Sequence, residues 1–225
     1  MEQMTQTDIN NYLLIDNFRR ATVDGTAPDY LKNTGGTWAW RSVLAAAAPT
    51  GSTTTGLLTF TTVNDGSTDE LVIDVGETYN KVWFTHHCQV ASASKLQFDL
   101  GSNGVDGTVA STSEIGLRVT ISDATATTIQ IKVTDKPSGT TSATIISDYT
   151  AGTTFTVPDV NVAIPYYFEY RANGDLYCKV GGSQLTKLVT RSPTITTARP
   201  DFTYFKIRTY TGASSPTVSL LRIAK

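Results

Sequence analysis

The chain has little cysteine, histidine or tryptophan and no long apolar run, and each scarcity removes a class of protein. Its two cysteines, Cys88 and Cys178, cannot build a disulfide framework or a four-cysteine zinc site. Both fall on expected core faces and read as buried free thiols; a bridge between them is compatible with the sequence but not required by it. The two histidines, His86 and His87, do not form a zinc spacing with those cysteines. The longest apolar run, Val43–Ala48, is too short to cross a bilayer as a helix, so no membrane partner is expected. The opening MEQMTQTDINN is polar and acidic, unlike a signal peptide, and secretion is not indicated. A net charge of −2 with scattered lysines and arginines leaves no footprint for nucleic acid. There is no Gly-rich phosphate loop and no serine in a Gly-x-Ser-x-Gly frame. No metal and no cofactor is expected.

What the chain does have is threonine, its commonest residue, and many turn formers. Both favour strands and turns over helices. About a dozen short strands can be read from apolar alternation, none needing a helical crossover. The expected fold is all-β, an antiparallel two-sheet sandwich. Residues 1–11 read as a polar arm and 12–225 as one domain, a size that such sandwiches reach. The first strand is expected at Tyr12–Arg19, a helical turn at Pro28–Lys32, and a long strand at Lys81–Val90 with His86 facing the core.

The segment Ile164–Val180 sets the orientation of one sheet. With a two-residue Asn173-Gly174 loop, Leu176, Cys178 and Val180 would share a face with Glu169 and Arg171. With a three-residue Ala172-Asn173-Gly174 loop, Tyr166, Phe168, Tyr170, Leu176, Cys178 and Val180 fall on one face. Tyr167, Glu169, Arg171, Asp175, Tyr177 and Lys179 fall on the other. The second register separates core from solvent, so it is the one expected.

Two stretches carry a resemblance. IDNFRR with GGTW (Ile15–Arg20, Gly35–Trp38) is similar to the first strands of concanavalin A-like, laminin-G-like jelly rolls. There an Asp-x-Phe strand lies beside the C-terminal strand, which here would be Thr217–Ile223. Such domains occur in lectins, glycan lyases and glucanases, and in bacteriophage virion proteins. YFKIRTY (Tyr204–Tyr210) resembles the C-terminal cleft strand, Tyr-Phe-Lys-Ala-Gly-x-Tyr, of jelly-roll alginate lyases. Ile207 and Arg208 replace its Ala-Gly pair. The family's Gln-x-His strand would fall at Thr85–His87, where only His87 matches. Its Arg-x-Glu-Leu strand would fall at Thr68–Leu71, where the arginine is missing.

The resemblance implies a lyase role for Tyr210 as proton donor and base, with His87, Lys206 and Arg208 handling a substrate carboxylate. β-Elimination needs that carboxylate neutralised before the α-proton can leave. Two of the three residues that do this in the family are absent, so the expectation leans to a protein without catalysis. Trp83, Tyr167 and Tyr204 are the glycan-stacking candidates; Trp38, Trp40 and Tyr177 could stack on sugar as well, although aromatics in sandwiches are more often core or half-buried strand residues. Asp99, Asn103 and Asp106 are oxygen-rich but lack a calcium-loop spacing.

The functional expectation is a bacteriophage virion structural protein, decorating the capsid or associated with the tail, that contacts cell-surface glycan. Its arm, with Met1, Glu2, Gln3, Met4, Thr5 and Gln6, would anchor on a neighbouring copy or another virion subunit by strand addition. The alternatives are a polyuronate lyase or an extracellular glycan-binding module.

Overall fold

The computed structural model describes residues 11–32, 39–43, 50–60, 70–87, 95–101, 116–136, 147–148, 153–160, 162–189, 202–210 and 217–225. The strands in chain order begin with β1 (Tyr12–Asp16), β2 (Tyr30–Leu31), β3 (Arg41–Val43), β4 (Leu58–Thr59), β5 (Glu70–Asp74), β6 (Lys81–His87), β7 (Lys95–Gly101) and β8 (Gly116–Thr125). They continue with β9 (Thr128–Lys136), β10 (Ser147–Asp148), β11 (Thr153–Thr156), β12 (Ile164–Tyr170), β13 (Leu176–Val180), β14 (Thr186–Val189), β15 (Tyr204–Tyr210) and β16 (Thr217–Ala224). No helix is assigned among the described residues.

The strands form two eight-stranded sheets in which every pairing is antiparallel. The first runs β14-β13-β12-β6-β16-β1-β2, with β4 also on β16. The second runs β10-β9-β8-β7-β15-β5-β3, with β11 also on β9. β1 lies beside β16, the neighbour expected from the Asp-x-Phe resemblance.

The hairpin has the three-residue loop. Tyr170 faces Leu176, Phe168 faces Cys178 and Tyr166 faces Val180. The Gly174 amide donates to the Arg171 carbonyl at 2.8 Å, and Gly174 has φ 89°, a left-handed conformation costly for any residue with a Cβ. The expected core face is buried except at Tyr170, which is half-buried against Phe202. One expectation fails: Asp175, assigned to the wet face, is 4 % exposed. Its carboxylate accepts from Asn173 Nδ2 at 3.0 Å and pairs with Lys187 Nζ at 2.9 Å, partners supplied by the loop and by β14.

Between the sheets lies an aromatic core. Phe98 of β7 meets Phe84 of β6 edge-on at 5.4 Å and Phe168 of β12 at 4.8 Å. Such contacts add about 0.5–1.5 kcal/mol each beyond the area they bury. His86 is buried as expected; its Nδ1 donates to the Thr217 carbonyl at 3.0 Å, since a carbonyl can only accept. Cys178 is fully buried and free, and desolvation pushes its thiol pKa well up. Cys88 lies outside the described residues.

Near the start of the chain, two expectations are corrected. The first strand ends at Asp16, not Arg19. Asp16 Oδ1 accepts from the Phe18 amide at 2.8 Å, and Phe18 takes φ 53°, which turns the chain out of the sheet. The expected helical turn at Pro28–Lys32 is instead β2, held because Leu31 and Tyr30 pair with Leu14 and Ile15. The buried Asp16 also accepts from Arg20 and from Trp40 Nε1, the latter at 2.7 Å.

Candidate functional site

β6 alternates as its sequence demands. Val82, Phe84 and His86 point into the core, while Lys81, Trp83 and Thr85 occupy the opposite face and are half-buried. Register then decides what stands beside Trp83. Tyr167 of β12 is on one side and Arg222 of β16 on the other. The Trp83 and Tyr167 rings stack with centroids 4.9 Å apart and planes at 28°. Two of the three expected glycan-stacking residues are therefore together on the outer face of the first sheet.

A third ring completes the arrangement. Pairing between β1 and β16 shifts register between Tyr12 and Leu14, and Tyr12 lies opposite Ala224. Tyr12 meets Trp83 edge-on at 5.7 Å. An open groove of about 530 Å³ is lined by Tyr12, Trp83 and Tyr167, with the small Ala224 leaving room and Lys32, Lys81 and Lys225 around them.

Polar contacts hold the groove's parts. The Tyr167 hydroxyl donates to Glu169 Oε2 at 3.0 Å, and Arg171 Nε donates to the other oxygen at 3.1 Å. Burial, followed by that bond to Glu169, raises the phenol pKa far above its usual value, so Tyr167 stays a neutral donor. Lys81 Nζ donates to the Lys225 carbonyl at 2.7 Å. Glu77 pairs with Lys225 at 2.7 Å and reaches Lys32 at 3.9 Å. The bond from Lys225 holds the Glu77 carboxyl below its ordinary pKa.

Among the described residues, the side chains that line the groove include no carboxylate and no imidazole. The groove offers ring surface and the ammonium groups of three lysines.

The residues expected for a lyase are divided between the sheets. His87 lies in β6, in register with Thr217 of the first sheet. Lys206, Arg208 and Tyr210 lie in β15 of the second, beside β5 and β7. There Phe205 and Ile207 face the core, while Tyr204 and Lys206 are half-buried on the other side. Tyr204 is thus in the second sheet, apart from Trp83 and Tyr167. The side chains of His87, Arg208 and Tyr210 lie outside the described residues.

In place of a histidine strand, β15 has β7 beside it. Asp99 stands opposite Lys206 and Gln97 opposite Arg208. Gln97 and Asp99 are 7 % and 6 % exposed although they alternate with the core residues Leu96, Phe98 and Leu100, so this polar face is recessed. Gln97 Nε2 donates to Thr120 Oγ1 at 2.9 Å.

Of the other aromatics, Trp40 is fully buried with its indole N–H committed to Asp16, which removes it as a sugar platform. The Arg171 guanidinium lies 3.9 Å from the Tyr177 ring centre. Trp38, Asn103, Asp106 and the arm residues Met1–Gln6 lie outside the described residues. Sequence reading missed Tyr12 and the three lysines. Tyr12 stands just before the buried run Leu13–Asp16, where the register shift breaks simple alternation.

The architecture has clear relatives among solved structures. A β-glucanase of Bacillus licheniformis is 13% identical, covering 86% of this chain and 95% of its own, with a TM-score of 0.54. The catalytic domain of an endo-1,3-beta-glucanase (laminarinase) from Thermotoga petrophila is 11% identical over 95% of this chain and 97% of that one, with a TM-score of 0.58. The carbohydrate recognition domain of Emp46p is 13% identical over 93% and 97%, with a TM-score of 0.54. The chain has the jelly-roll fold of these structures, a two-sheet antiparallel sandwich. No protein-family profile and no curated protein matches this jelly roll by sequence. At identities this low the likeness carries the fold and not an activity.

Proposed function

We propose that this jelly roll is a non-catalytic glycan-contacting protein, with the groove between Tyr12 and the Trp83–Tyr167 pair as its contact surface. The observation that carries the reading is the convergence of three rings from β1, β6 and β12 on one open groove. Aromatic rings offer sugar C–H faces a large apolar surface at little conformational cost. Fold relatives that act on or recognise carbohydrate add support of a general kind.

The setting we propose is the virion of a bacteriophage, as a capsid-decorating or tail-associated subunit. That part rests on the resemblance of Ile15–Arg20 and Gly35–Trp38 and on the polar arm, residues 1–11. A lyase would use Tyr210, and its strand lies in a different sheet from His87.

The test is glycan-array binding of the whole protein against the Trp83→Ala/Tyr167→Ala variant. We expect retention of a defined set of glycans by the wild type and its loss in the variant, with thermal unfolding of both still cooperative. No retained glycan in the wild type would sink the contact reading. Release of an unsaturated, ultraviolet-absorbing product, abolished by Tyr210→Phe, would replace it with the lyase. For the virion setting, light scattering after size exclusion should show a multimer that dissociates when residues 1–11 are removed; a monomer in both forms would count against that setting.

A further inference from the structure

The rings of the groove are neutral, but its rim is not. Lys32, Lys81 and Lys225 line it, and no aspartate or glutamate side chain among the described residues does. Behind the rim, Glu77 is shared between Lys225 at 2.7 Å and Lys32 at 3.9 Å. Lys81 pairs with no aspartate or glutamate side chain among the described residues and uses one donor on a main-chain oxygen of Lys225. The Arg222 guanidinium adds a further positive charge 5.6 Å from the Tyr12 ring centre. The chain carries a net charge of −2, so this excess of cations is local.

Like charges held around a small groove repel one another, and an anionic occupant relieves that repulsion. A neutral sugar would stack on the rings and leave it in place. We infer that the groove takes an anionic oligosaccharide, one sugar ring lying against Trp83 or Tyr167 and its acidic group meeting the ammonium of Lys81 with Lys32 or Lys225. The inference rests on the glycan-contact reading and adds the chemical class of the glycan. The cations at the rim are lysines, which act as hydrated point charges without the planar fork that arginine offers a carboxylate. The groove therefore accepts a uronate carboxylate or a sulfate ester, and experiment has to separate the two.

The experiment is calorimetric titration of the whole protein with three oligosaccharides of equal length: an oligouronate, a sulfated galactan fragment and a neutral β-glucan fragment. We expect at least one acidic ligand to bind more tightly than the neutral one. That advantage should shrink in salt near 1 M, where screening acts within about 3 Å. Lys81→Gln should weaken the acidic ligand roughly fivefold, the scale of two unit charges about 4 Å apart in water, and weaken the neutral ligand by less. Lys225→Gln is the second variant; its backbone carbonyl still accepts from Lys81, so a folding defect in one variant does not remove the test. Binding by only one acidic ligand supports the inference and names its source. Equal binding of acidic and neutral ligands, or indifference to both salt and the lysine variants, overturns the anionic inference and leaves the glycan reading standing. No binding of any ligand overturns both.

Discussion

Asp16 and Arg20, four residues apart, meet through two charge-assisted bonds of 2.8 and 2.6 Å, with the carboxylate fully buried and the guanidinium side chain 20% exposed. The same carboxylate takes the Phe18 amide and the Trp40 indole N–H. One anion thus ties the end of β1 to the turn that follows it and to the residue just before β3.

Asp16→Ala should be the most destabilising single change in this region. It leaves the Phe18 amide and the Trp40 indole N–H without their acceptor and strips two bonds from Arg20, which keeps Thr26 Oγ1 at 2.8 Å and Asp29 at 3.8 Å, and removing one partner of a buried pair costs about 3–5 kcal/mol. The lower end is expected because Arg20 is partly solvated. Urea unfolding followed by tryptophan fluorescence reads the midpoint. A shift worth less than about 1 kcal/mol, the scale of an ordinary surface change, would show that the network is not needed.

Gly174→Ala should cost about 1–2 kcal/mol, because a Cβ is disfavoured in the left-handed region and Gly174 sits at φ 89°. Gly182→Ala is the control. It is exposed, with nothing within 4 Å of an added Cβ and no positive φ. Its effect should stay within about 0.5 kcal/mol. Equal effects at both positions would mean that the loop does not require its glycine.

Glu77 gives a pH dependence with a defined sign. Its folded pKa is held below the ordinary 4.5, chiefly by the bond from Lys225. Its contribution to stability is therefore complete above pH 4.5 and is lost as pH falls through the lower folded value. The melting temperatures of wild type and Glu77→Gln should differ by a small constant above pH 4.5 and converge below it. Divergence on acidification would reverse the sign and refute the assignment.

The hairpin was legible because two strands alternate without error and only one loop length keeps Phe168 and Cys178 on the same face. The neighbour of β1 was legible through IDNF and TVSLLRI. Other features are not written in local periodicity. Alternation places Lys206 on a face of its own strand, but the strand beside β15 is chosen by packing across the whole chain, and it is β7 rather than the strand of His87. Lys32, Lys81 and Lys225 are scattered in sequence and meet only because β16 lies between β6 and β1. Asp175 looked like a solvent-facing residue; its burial follows from Lys187 on β14.

That placement of β16 has a consequence for how the protein is made. The last strand is an interior member of the first sheet, between β6 and β1. Until it leaves the ribosome, β1 and β6 each present an unpaired edge, the kind of surface that draws other chains. The first sheet stays divided between β6 and β1 until β16 has been made. Synthesis should therefore pass through an aggregation-prone interval, and slowing elongation would lengthen it.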